Sequence, residues 1–150
     1  MEIVEFAPRH AEAFRTLNEA WISKHFAIEA KDREVLGDPQ RKIVAPGGRI
    51  FMAMNGDEAV GCVALVKMAD GGFEVAKMTV SEALRGSGLG RRLMQRCIDA
   101  GAEMGATRLY LETNSGLGPA LALYRAMGFR DLAPAETPYA RADVFMERRY

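Results

Sequence analysis

Scarcity bounds this chain before any motif does. Two histidines, His10 and His25, and two cysteines, Cys62 and Cys97, are all that its 150 residues hold of the side chains that ligate transition metals best. The cysteines lie far apart, each inside an apolar pattern, as reduced core residues do, so no metal is expected. A histidine-based catalytic triad has little to draw on. Charge of one sign is also missing: 20 basic residues face 20 acidic ones. That balance removes the electrostatic argument for a nucleic-acid partner. No apolar run approaches bilayer length, so no membrane partner is expected. The opening Met1-Glu2-Ile3-Val4-Glu5 lacks the basic and apolar regions of a signal peptide. The expectation is a cytoplasmic protein. Internal repeats, low-complexity tracts and linkers are absent, which predicts one domain over residues 1–150.

What the chain does have is glycine, concentrated where it matters. Phe73 to Val80 reads as a strand, Ser81-Glu82-Ala83-Leu84 as a polar turn, and Arg85-Gly86-Ser87-Gly88-Leu89-Gly90-Arg91-Arg92 as a bare loop opening a helix. Without Cβ atoms a ligand can approach the main chain, and the first amides of a helix have no intrahelical acceptor. With the positive end of the helix dipole and Arg85, Arg91 and Arg92, the stretch suits a polyanion such as a pyrophosphate. A tight turn that merely packs strand on helix would use the same glycines. Two other phosphate motifs fail on spacing. A dinucleotide fingerprint needs its third glycine one residue later than Gly90, and a P-loop needs Gly-Lys-Ser/Thr where this chain has Gly90-Arg91-Arg92.

Around that loop the periodicities predict an α/β fold. Met1 to Phe6 reads as a short strand, His10 to Lys24 as a first helix and Phe26 to Leu36 as a second, closed by Gly37-Asp38-Pro39. Arg49 to Met54 and Glu58 to Val66 flank Asn55-Gly56-Asp57, the strongest hairpin signal in the chain, and with Phe73 to Val80 make an antiparallel meander. A helix from Gly88 to Met104 and a strand from Thr107 to Thr113 follow, in the order of a right-handed parallel crossover. Pro119 to Met127 is a short helix, and Phe129 to Leu132 and Ala142 to Arg148 are the last strands. The expectation is a mixed, mostly antiparallel sheet of about seven strands with one parallel pair, flanked by about four helices.

Arg85 through Gly90 resembles the Gln/Arg-x-x-Gly-x-Gly/Ala signature of the GNAT superfamily of N-acetyltransferases. Ala122-Leu123-Tyr124-Arg125-Ala126-Met127-Gly128-Phe129 is similar to that family's downstream Leu-Tyr-x-x-x-Gly-Phe pattern. The resemblance implies that the loop (Arg85, Gly86, Ser87, Gly88, Leu89, Gly90, Arg91) holds the pyrophosphate of acetyl-CoA as acyl donor. It also implies that the strands Phe73 to Val80 and Thr107 to Thr113 splay apart. The pantetheine arm would pair with the main chain at Met78 and Val80, and Asn114 would add a side-chain hydrogen bond.

Acetyl transfer to an amine requires loss of a proton from a group with a pKa of about 10.4, costing roughly 4 to 5 kcal/mol at pH 7. Glu74 matches the place of the general-base glutamate in the protein-acetylating branch, and in a regular strand it would share a face with Met78 and Val80. A surface glutamate beside Gly71-Gly72 is the plain alternative, and Glu112 is a second choice. Tyr124 matches the tyrosine that donates to the departing thiolate, although core packing beside Leu121 and Met127 would explain it too. For the acceptor the sequence offers Trp21, His25, Phe26, Glu29, Asp32 and Tyr139, aromatic and acidic groups that suit a cation. It does not distinguish a small amine from an amino acid or a protein amine, and a homodimer is compatible with it. The competing reading is a non-catalytic acyl-CoA sensor that binds without turnover.

Overall fold

A computed structural model describes residues 1–150. One seven-stranded sheet runs in the order β1-β2-β3-β4-β5-β7-β6, built from β1 (Glu2–Glu5), β2 (Arg49–Asn55), β3 (Glu58–Lys67), β4 (Phe73–Val80), β5 (Arg108–Thr113), β6 (Arg130–Leu132) and β7 (Val144–Arg149). The α-helices are α1 (Ala11–His25), α2 (Ala30–Gly37), α3 (Leu89–Glu103) and α4 (Gly118–Ala126). Every strand pair is antiparallel except β4 with β5. This is the predicted mixed α/β architecture. No helix is long and apolar enough to cross a membrane.

Alternation along the strands divides the core in two. Phe51, Val63, Leu65 and Val75 point to the face covered by α3, whose Leu89, Leu93, Cys97 and Gly101 form one buried stripe. Ile50, Met52, Cys62 and Ala64 point to the other face and meet Phe14 and Ile22 of α1 and Leu36 of α2. Both faces are covered.

Differences from the predicted elements have local causes. The second helix begins at Ala30, because Phe26 leaves α1 in an extended conformation (φ −147°, ψ −173°). The backbone N–H of Glu29 then donates to Asp32 Oδ2 at 2.9 Å, fixing a new helix start. A π-helical turn, Gln40–Val44, follows Pro39 in a stretch for which the periodicities predict no element. The last strand starts two residues late, at Val144, since Asp143 is drawn into the β5–α4 loop by the N–H and hydroxyl of Ser115, each at 2.8 Å.

The most consequential difference lies within β4. Its register against β3 slips between Cys62↔Thr79 and Ala64↔Ala76, so Lys77 and Met78 together face Val63. Lys77 adopts φ +55°, the only non-glycine residue at positive φ. A bulge of this kind reverses the alternation beyond it. Glu74 and Ala76 therefore face α1 and α2, whereas Met78 and Val80 face α3. The regular-strand expectation that Glu74 shares their face is corrected.

Candidate functional site

β4 and β5 pair only at Phe73↔Leu109 and Glu74↔Tyr110. Beyond that point β4 stays with β3 and β5 stays with β7, so the two strands diverge toward Val80 and Thr113. The wedge opens into a cleft of ≈ 390 Å³. Of the predicted site residues, Glu74, Met78, Val80, Arg85, Gly86, Gly88, Leu89, Gly90, Asn114 and Tyr124 line it; Ser87 and Arg91 do not.

At one end lies the glycine loop. Gly86 and Gly88 sit at φ +78° and +87°, a region that favours glycine, and a Cβ at either would meet no atom within 4 Å. Open space rather than tight packing surrounds them, so close packing of strand on helix is not what requires glycine there. Ser87 Oγ accepts from the N–H of Leu89 at 3.4 Å, and Gly88 precedes the first turn of α3. Arg85 is exposed at the cleft edge.

Tyr124, from α4, packs its ring against Phe129 with centroids 6.1 Å apart. Burial alone pushes its phenol up to about 12, with no contribution from a hydrogen-bonded partner. Asn114 is committed differently from the expectation. Its Nδ2 donates to Arg141 O at 2.7 Å and its Oδ1 accepts from Gly116 N at 2.8 Å, so both ends of the amide tie loops together beside the cleft.

Toward the base of the wedge, Glu74 is pushed up to about 7, first by burial and then by the charge of Glu112; Lys77 and Lys31 pull the other way. Glu112 accepts from Tyr110 Oη at 2.9 Å and from Thr137 Oγ1 at 2.5 Å, so each of its oxygens already has a protein donor. Glu74 thus has the carboxylate with no such commitments. Burial pushes the thiol of Cys62 up to about 12 and that of Cys97 higher still, which removes both as thiolate nucleophiles near neutral pH.

An ion network closes the side opposite α3. Lys77 Nζ donates to Asp32 Oδ1 at 2.5 Å and to Tyr139 Oη at 3.1 Å. Arg141 grips both oxygens of Asp32 at 2.7 Å and reaches Glu29 Oε2 at 3.2 Å. Burial pushes Asp32 up, but the hydrogen bonds from Arg141 and Lys77 outweigh it and hold the carboxyl well below its usual range. The Tyr139 ring has Lys77 at 4.6 Å and Arg141 at 4.5 Å from its centroid. Asp32, Glu29 and Tyr139, which sequence reasoning offered to an acceptor cation, are therefore engaged by the protein's own cations.

Lys77, Arg141 and Asn18 were missed. A lysine between Ala76 and Met78 in a mostly apolar strand was a legible signal for Lys77; Arg141 had none. Asn18 is 2% exposed and lines the cleft. Its Nδ2 donates to Phe14 O at 2.9 Å and to Cys62 Sγ at 3.4 Å, which leaves its carbonyl oxygen without a protein donor. Since Phe14 O can only accept, the orientation of the amide is fixed.

Comparison with known proteins agrees with this geometry. The model of the Acetyltransferase (GNAT) family matches residues 10–129. An IAA acetyltransferase of Azospirillum brasilense is 36% identical over 109 residues, covering 71% of each chain. A GNAT-family acetyltransferase from Staphylococcus aureus Mu50 superposes with a TM-score of 0.89 at 21% identity, over 99% of this chain and 98% of the other. The PaiA N-acetyltransferase of Thermoplasma acidophilum, solved with coenzyme A, gives 0.79 at 17% identity, over 99% and 98%. A wedge of parallel strands, a bare turn at a helix start and a family match across most of the chain lead to one conclusion: the chain belongs to the acetyltransferase (GNAT) family and is an acyltransferase.

Proposed function

We propose that this chain, as one domain, moves an acetyl group from acetyl-CoA to a primary amine by direct attack, with Glu74 as general base and Tyr124 as donor to the leaving sulfur. The observation that carries the reading is the β4/β5 wedge running into a turn whose glycines face open space. Such a cradle fits a diphosphate followed by a narrow chain. Gly86, Gly88 and the first amides of α3 would hold the diphosphate, with Ser87, Leu89, Gly90, Arg85 and Arg91 around it. The main chain of Met78 and Val80 would take the amide-bearing arm, beside Asn114. When bound, acetyl-CoA supplies the acetyl group in activated form, as a thioester.

Glu74 takes the ammonium proton, directly or through water. A carboxyl poised near 7 is ionised for about half the molecules at neutral pH and is a far stronger base than an ordinary glutamate. Tyr124 contributes a hydrogen bond to the sulfur as the carbon–sulfur bond breaks. Its high pKa does not disqualify it. The burial that disfavours a phenolate disfavours a thiolate at the same wall, so the two pKa values rise together.

Titration with acetyl-CoA, free CoA, ATP and NAD, followed by thiol-release assays on a panel of amines, tests the reading. Saturable binding of acetyl-CoA and CoA with amine-dependent release is expected. Binding without release on any amine would leave only the sensor, and preference for ATP or NAD would remove the reading altogether.

A further inference from the structure

The ion network bears on which amine can be accepted. Lys77 and Arg141 are the cations that reach the acceptor side of the cleft, and both are already paired. Around them stand four carboxylates: Glu29, Asp32, Glu74 and Glu112. With Glu74 ionised the formal balance is two positive against four negative, and with its proton held it is two against three. Behind Glu74 and Tyr139 lies a second cavity of ≈ 130 Å³, with Lys31 and Lys42 among its lining residues. Both of these lysines share the one carboxylate of Glu34 in contact with solvent, where screening weakens the charge of Lys31 that reaches Glu74. Across the main cleft, Trp21, Ile22 and Phe26 line the α1 wall with apolar surface, and Asn18 presents a carbonyl oxygen able only to accept.

Resting on the acyl-transfer reading above, we propose that the acceptor is a primary amine with an apolar body and no carboxylate on the carbon that bears the nitrogen, hence an arylalkyl- or alkylamine rather than a free amino acid. An amine within reach of Glu74 would bring such a carboxylate close to Glu74 and Glu112, while the cations that line the main cleft there, Lys77 and Arg141, are already paired. Each like-charge pair at about 6 Å costs on the order of a hundredfold in binding before screening and about tenfold after it. An ammonium meets the opposite field, and its N–H groups match the free oxygen of Asn18. The apolar wall from α1 accounts for the body.

The test compares kcat/KM for thiol release with 2-phenylethylamine, phenylalanine amide and phenylalanine at saturating acetyl-CoA. The first two should exceed phenylalanine by about tenfold or more. Glu29→Gln takes one carboxylate from Arg141 while keeping an acceptor for the N–H of Ala140, and should narrow the gap between phenylalanine and its amide by about threefold. Equal or better use of phenylalanine, or a ratio unmoved in a folded Glu29→Gln, overturns the inference. So does acetylation of a polyamine such as spermidine with no release from any of the three, which would leave acyl transfer standing. Acetyl-CoA binding with no release on any amine overturns both.

Discussion

Replacing Glu74 with glutamine should make the protein more stable and less active at once, with an effect that depends on pH in a calculable way. The folded carboxyl titrates at about 7, against about 4.5 in the unfolded chain. Between those values the fold keeps a proton that the unfolded chain has released, so stability falls as pH rises through the window and is level above it. The accumulated loss is about 3 kcal/mol at pH 8 and under about 1 kcal/mol at pH 5. Glutamine, neutral and of similar size, avoids the loss. For a domain of this length each kcal/mol moves Tm by about 2 to 4 °C, so Glu74→Gln should melt about 6 to 12 °C above the parent at pH 8 and close to it at pH 5. The assay is a pair of melting curves at the two pH values, read beside the pH profile of kcat/KM. The acid limb near 7 should vanish with most of the activity. Equal melting temperatures at pH 8 would show that Glu74 is not desolvated, and a preserved acid limb would remove it as base.

Three further outcomes are expected. Tyr124→Phe should lower kcat by about a hundredfold with little change in acetyl-CoA affinity, as loss of a donor used only during bond breaking requires; normal turnover would exclude the role. Gly88→Val should raise the Kd for acetyl-CoA at least about tenfold in a calorimetric titration, because it obstructs the main chain and forces φ +87° on a side chain, the latter at a cost of about 1 to 2 kcal/mol in stability. Lys77→Gly relaxes the φ +55° backbone and leaves Asp32 to Arg141, so the protein should stay folded. Loss of the positive charge should move the acid limb of kcat/KM to higher pH, since Lys77 pulls the Glu74 titration down; a limb that stays in place would separate Lys77 from the base.

Much of the fold was legible because it rests on local rules. Asn55-Gly56 sets a hairpin, with Gly56 at φ +63°. Leu89, Leu93 and Cys97 fall at helical spacing on one buried stripe, and β4 has the predicted limits. The loop was legible for the same reason, since glycine pattern and backbone geometry are linked residue by residue. The acceptor side was not. Which cation meets Asp32 depends on bringing residues 45 and 109 positions apart into contact, and no periodicity encodes that.

The bulge at Lys77 shows why the second failure follows from a small one. An extra residue in β4 changes no predicted element boundary, and a pattern reading passes over it. Yet it reverses every side chain beyond it, parting Glu74 from Met78 and Val80 across the sheet. That separation suits the proposed chemistry: a base approaches from the α1 and α2 side, while the arm of the acyl donor lies along main chain whose side chains face α3. It also aims Lys77 at Asp32, where its ammonium replaces the acceptor cation that the acidic residues of α2 had suggested. A single backbone irregularity therefore decides both where the proposed base stands and which charges remain for a substrate. An account of acceptor choice in this chain has to begin with that residue rather than with the glycine loop.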